Sequence, residues 1–126
     1  MSNQPSVVAT TYPSIVGKVL TDLRSQHGMQ QKDMAVAVGL TQATWSRIEN
    51  GQTNITLEHL RSAAKPLGIP PWRILAIADQ TEVEAQFRGV SVVETKSPDI
   101  HPGLVLLAGA ALGAFVTYAI IKSRSV

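Results

Sequence analysis

Apolar positions recur at helical spacing through the middle of this chain and crowd together without interruption near its end. Ile15, Val19, Leu20 and Leu23 share one helical face and predict a first helix closed by His27-Gly28. Met34, Ala35 and Val38 mark a short second helix that opens near Gln31 and stops at Gly39. Leu40-Thr41 leads straight into a third, with Thr41 as N-cap, Trp45 and Ile48 facing inward, and Asn50-Gly51 closing it. Thr56 caps a fourth helix carrying Leu57, Leu60, Ala63 and Ala64; Pro66 removes a backbone donor from its last turn and Gly68 ends it. Pro71 suits the first turn of a fifth, with Trp72, Leu75 and Ile77 on its apolar side. Both tryptophans are therefore expected in the core.

The pattern divides the chain. Residues 1–13, rich in Ser, Thr, Asn and Gln, predict a mobile arm, and 14–80 an all-α domain of five short helices. Residues 81–102 mix charges with Gly, Ser and Pro and predict a linker. Within it Val90–Glu94 is valine-rich like a short strand, with no partner in view except its copy in a second subunit. Residues 103–121 carry no charge, and as a helix would reach roughly 28 Å, close to a hydrocarbon core of about 30 Å. They predict a single C-terminal transmembrane helix, followed by a polar tail at 122–126. Gly109, Gly113 and Thr117 recur every four residues along it, a small-residue seam on which two such helices could pair.

Composition narrows the function classes. A chain of 126 residues has no room for a separate cofactor fold, and the absence of cysteine excludes a disulfide scaffold and a thiol nucleophile. With 44% hydrophobic and 16% charged residues it is not a disordered chain. A net charge of +2 makes no strong field for a polyanion, so any nucleic-acid contact must be local. His27, His59 and His101 have no metal-ligand spacing, and no metal or cofactor is expected. Ser62-Ala63-Ala64-Lys65 matches a Ser-x-x-Lys pattern, but inside an amphipathic helix without oxyanion donors. No catalytic residue is assigned, and an enzyme is not expected.

The junction between the second and third helices carries the chemistry. A helix, a short turn with a glycine, and a second helix with polar outward positions form a helix-turn-helix. Ala35 gives the small residue where the helices approach, and Gly39 one that tolerates positive φ. Gln31, Ala35, Gly39, Thr41, Ser46, Glu49 and Gly51 stand at spacings that resemble the Cro/CI (lambda-repressor-like, XRE) helix-turn-helix family, over roughly Ile15 to Ile77. The resemblance implies a five-helix lambda-repressor-like fold whose third helix enters the major groove of double-stranded DNA.

Residue by residue, it places Gln42, Ala43, Ser46 and Arg47 toward DNA, with Thr41 and Thr44 at the backbone side, and Gln31 and Asn50 on phosphates. Their chemistry agrees: Gln pairs with adenine, Arg with guanine, and an Ala methyl meets a thymine methyl. The alternative is a merely solvated polar face. Arg24 and Glu49 match the family's structural ion pair between the first helix and the end of the third. Gln30 stands where a Ser or Thr often opens the second helix, so that end is expected to fray.

Together these features predict a sequence-specific transcriptional regulator of bacterial or phage type, held as a homodimer in the bacterial inner membrane by one span, its DNA-reading domain cytoplasmic. Lys122 and Arg124 beyond the span oppose that orientation under the positive-inside rule. The rivals are a membrane scaffold or cytoskeletal anchor that uses the fold for protein contacts, and an antitoxin-like autoregulator.

Overall fold

The computed structural model describes residues 7–94, 104–106 and 109–124. Among them the order is β1 (Val7–Thr11), α1 (Tyr12–Gln26), α2 (Gln31–Val38), α3 (Gln42–Glu49), α4 (Leu57–Leu67), α5 (Pro71–Phe87), β2 (Ser91–Val93), β3 (Leu104–Leu106) and α6 (Gly109–Arg124). The fold is mostly helical, and α2 through α4 begin and end close to where caps and turn glycines predict. The capping threonines act as expected: Thr41 accepts from the Thr44 N–H at 3.2 Å and Thr56 from the His59 N–H at 3.1 Å. The start of α2 is held rather than frayed, because the Asp33 carboxylate accepts the Gln30 backbone N–H at 2.9 Å.

The two ends of the chain depart from the predicted all-α plan. Val7–Thr11 is a strand, not an arm, and its β-branched side chains give the valine-rich 91–93 segment the partner it lacked. The pairing is parallel, with Ala9 opposite Ser91 and Thr11 opposite Val93, so the five intervening helices serve as the crossover. On its other side β1 pairs, again in parallel, with β3, Val7 opposite Leu104 and Ala9 opposite Leu106. The sheet order is β2-β1-β3. The stretch expected as linker from 81 is helical to Phe87 before it turns into β2; residues 95–102 lie outside those described, as do 1–6 and 125–126.

The apolar run 103–121 is not one continuous helix. Leu104–Leu106 is a strand, and α6 begins only at Gly109. Among the described residues no helix is long and apolar enough to cross a membrane. Instead α6 lies on α1 and α5 and presses Leu112, Val116, Ala119 and Ile120 into the same core as Ile15, Leu20, Ile74 and Ala78. Their spacing is that of one helical stripe, which α6 buries while Ala114, Thr117, Tyr118 and Ile121 stay exposed. The proposed seam is also used within the chain. Gly113 sits over α1, with the Lys18 Cε 3.6 Å from where a β-carbon would stand. The Thr117 hydroxyl donates back to the Gly113 carbonyl at 2.9 Å, and Gly109 is the first residue of α6. The transmembrane span and the bilayer contact therefore find no support among the described residues.

The core runs without a break from the helix-turn-helix to α6. Trp45 is fully buried in it, but Trp72 is 66% exposed, against expectation. The stripe that α5 buries is Ile74, Ile77, Ala78, Thr81 and Ala85, which turns Trp72 outward. A helix that merely trailed a folded domain would tolerate truncation of its side chains. Leu112→Ala is expected instead to cost about 2–5 kcal/mol in urea unfolding, the usual loss for a buried leucine; an unchanged midpoint would detach α6 from the core.

Candidate nucleic-acid interface

The arrangement of α2 and α3 follows from a few local decisions. Gly39 takes the left-handed conformation at φ 79°, and the Leu40 N–H returns to the Ala35 carbonyl at 2.9 Å, which closes α2 in one step. Thr41 then caps α3 at once, so the turn is as short as the sequence implied. At the far end of α3 the chain is pressed against α1. A β-carbon on Gly17 would strike the backbone carbonyls of Ile48 and Glu49. One on Gly51, where φ is 73°, would strike Ser14. Gly17 is needed for close approach and Gly51 for its backbone angle as well.

Glu49 anchors this contact chemically. Its side chain is 2% exposed, and four N–H groups converge on its two oxygens. Arg24 donates from Nε to Oε2 at 2.7 Å and from Nη2 to Oε1 at 3.1 Å. Gln31 Nε2 donates to Oε1 at 2.9 Å, and the indole Nε1 of Trp45 to Oε2 at 2.7 Å. The third Arg24 nitrogen, Nη1, donates to the Met29 carbonyl at 2.7 Å. One carboxylate thus joins α1, the start of α2, the α1–α2 turn and α3. The Arg24–Glu49 pair is the ion pair the sequence suggested; the Trp45 bond was missed because the residue was read only as core. Its signal was there, since Trp45 and Glu49 stand four apart on one helix.

The residues assigned to DNA divide by environment. Thr41, Gln42, Ala43, Arg47 and Asn50 are exposed, while Thr44 and Ser46 are half-buried at the edge of the same surface. The Arg47 guanidinium has no hydrogen-bond or ion-pair partner among the described residues, while its backbone carbonyl accepts the Gln52 N–H at 2.9 Å. The Thr41 hydroxyl donates to the Thr44 hydroxyl at 2.9 Å, and Asn50 Nδ2 lies 3.5 Å from Ser46 Oγ. Gln31 differs from the others, because its amide is directed inward to Glu49. The acids nearby are occupied: Asp33 caps α2 and Glu49 is buried. Groups of three or more potential metal ligands are absent among the described residues.

Removing one donor from a buried carboxylate should be costly. Trp45→Phe keeps the ring in the core but deletes the indole N–H, and is expected to lose about 1.5–3 kcal/mol in chemical denaturation. Glu49→Ala, which strands the Arg24 charge, is expected to lose about 3–5 kcal/mol. Equal stability of Trp45→Phe and the parent would show that the indole bond does not hold Glu49.

Comparison with known proteins agrees with this geometry. The family model HTH_3, described as helix-turn-helix, matches residues 20–71 of the 126. No curated protein matches the sequence. Among solved structures, the clp gene regulator ClgR from Corynebacterium glutamicum is similar at 21% identity and a TM-score of 0.59, over 61% of this chain and 82% of that one. A mutant of the restriction-modification controller protein C.Esp1396I is similar at 25% identity and a TM-score of 0.53, over 58% of this chain and 95% of that one.

Proposed function

We propose that this chain is a sequence-specific DNA-binding transcriptional regulator that acts on double-stranded DNA as a homodimer. The observation that carries the reading is the exposed row Gln42, Ala43 and Arg47 on α3, a helix fixed at both ends. Its capped start and its clamped finish mean that the row is presented at one angle, which readout of base edges demands. The helix-turn-helix match and the likeness to a restriction-modification controller protein support it. With the Gln31 amide turned to Glu49, the backbone N–H groups at the start of α2 are the better candidates for a phosphate there.

Support for pairing comes from α5 rather than from the C-terminal segment. Trp72, Val83 and Phe87 lie along one face of α5 and are 66%, 56% and 86% exposed. Large apolar side chains in such a row mark an interaction surface, and a second copy would supply the second α3 that a pair of half-sites about one helical turn apart requires.

Two measurements test the reading. DNA selected from a random pool by the full chain should show a consensus, and Arg47→Ala should weaken binding to it by about 1–3 kcal/mol with preference relaxed at one base pair. Failure to enrich any sequence would exclude sequence-specific readout. Val83→Glu with Phe87→Glu should shift the protein toward monomer in sedimentation and lower affinity for a two-half-site operator while leaving half-site affinity unchanged. An unaltered sedimentation profile would place the dimer contact elsewhere.

A further inference from the structure

On the side of α1 where its first turn meets α4, α5 and β2, two cavities meet. The first, about 220 Å³, is walled by Pro13 and Val16 of α1, Ile48 at the end of α3, the 53–56 loop, Leu57 and Leu60 of α4, and Leu75 of α5. Among the described residues, no charged side chain lines it. The second, about 450 Å³, opens beside it and shares Tyr12, Pro13 and Asn54 with the first. Its remaining walls are Val92 and Val93 of β2 and two carboxylates, Glu82 of α5 and Glu94 just past the strand. Among the described residues, no lysine or arginine lines either cavity.

Tyr12 stands at the junction. Its hydroxyl donates to Asp79 Oδ1 at 2.6 Å. Burial, then that bond and the nearby charges of Asp79 and Glu82, push the phenol well above the ordinary tyrosine range. Tyr12 is therefore a neutral gatepost between an apolar chamber and an acidic vestibule.

We propose that this groove is a binding site for a small amphipathic amine, with its apolar body past Tyr12 among Val16, Leu60 and Leu75 and its ammonium group among the carboxylates Glu82 and Glu94. The size of the chamber sets the body. A cavity of about 150 Å³ takes a benzene ring, so 220 Å³ takes a ring with a short side chain. The charge of the vestibule sets the head: the two carboxylates Glu82 and Glu94 on its described walls repel an anion and favour a cation over a neutral group. The site stands independently of whether α3 reads DNA.

The test uses the full chain and three probes of nearly one shape: 2-phenylethylamine, 2-phenylethanol and 3-phenylpropanoate. Methyl NMR shifts of Val16, Ile55, Leu60 and Leu75 follow binding. The amine is expected to bind about three- to tenfold more tightly than the alcohol at low salt, and the anion most weakly, with the gap narrowing as salt is added. Glu82→Gln with Glu94→Gln, both at the surface of the vestibule, should bring the amine down to the affinity of the alcohol without changing the latter. Ile55→Trp, which fills the chamber from the loop, should abolish binding of both; if that variant does not fold, the carboxylate pair still decides. Equal affinity for amine and alcohol, an amine preference that survives loss of both carboxylates, shifts confined to other methyls, or saturation only together with a change in oligomeric state would each overturn the proposal.

Discussion

Glu49 is the residue on which the position of α3 depends. A buried carboxylate is costly to desolvate, and only a full set of donors offsets that cost. Here four N–H groups supply it, from Arg24, Gln31 and Trp45. The consequence is geometric as much as energetic. Because the donors come from α1, α2 and α3 itself, the carboxylate is satisfied only when all three helices hold one mutual arrangement. Gly17 and Gly51 then let the end of α3 sit directly against the backbone of α1. A helix seated in this way cannot slide without breaking charged hydrogen bonds or colliding with a carbonyl.

What could be read from the sequence was what is decided locally. Caps, turn glycines and helical periodicity are properties of a few adjacent residues, so α2, α3 and α4 were legible to within a turn. The phase of α5 was not, because Trp72 looked like core by its size alone, whereas the buried side is set by α1 and α6 packing on Ile74 and Ala78. The sheet was illegible for a different reason. Val7–Thr11 and Ser91–Val93 are parallel partners more than 80 positions apart, and neither short strand has a turn signal that points to the other. Of the candidate site, the exposed row on α3 and the Arg24–Glu49 pair were visible in the spacing, while the inward turn of Gln31 needed the position of Glu49.

The C-terminal run shows why hydropathy alone misleads. A stretch of 19 uncharged residues satisfies a length rule for a membrane span, but the rule counts side chains without asking whether the rest of the chain offers them a surface. Two such surfaces exist. The free edge of β1 takes Leu104–Leu106 through backbone hydrogen bonds, and the exposed flank of α1 and α5 takes Leu112, Val116, Ala119 and Ile120. Of the residues that suggested a membrane seam, Gly113 lies over the Lys18 side chain of α1 and Thr117 bonds back to the Gly113 carbonyl.

These two halves meet in α1, and they meet at neighbouring residues. Gly17 is in contact with the end of α3, and Lys18, the next residue, underlies Gly113 of α6 while pairing with Asp22 at 3.0 Å. One turn earlier, Thr11 ends β1 and accepts the Ser14 N–H that starts the helix. The strand β1, α3 and the terminal helix α6 are therefore all referred to the first two turns of α1. Cores packed at native density transmit displacement rather than absorb it. A change in how α6 or β1 seats is for that reason also a change in the platform against which α3 is clamped. The C-terminal layer is thus part of the core that fixes the position of α3, not an appendage to it.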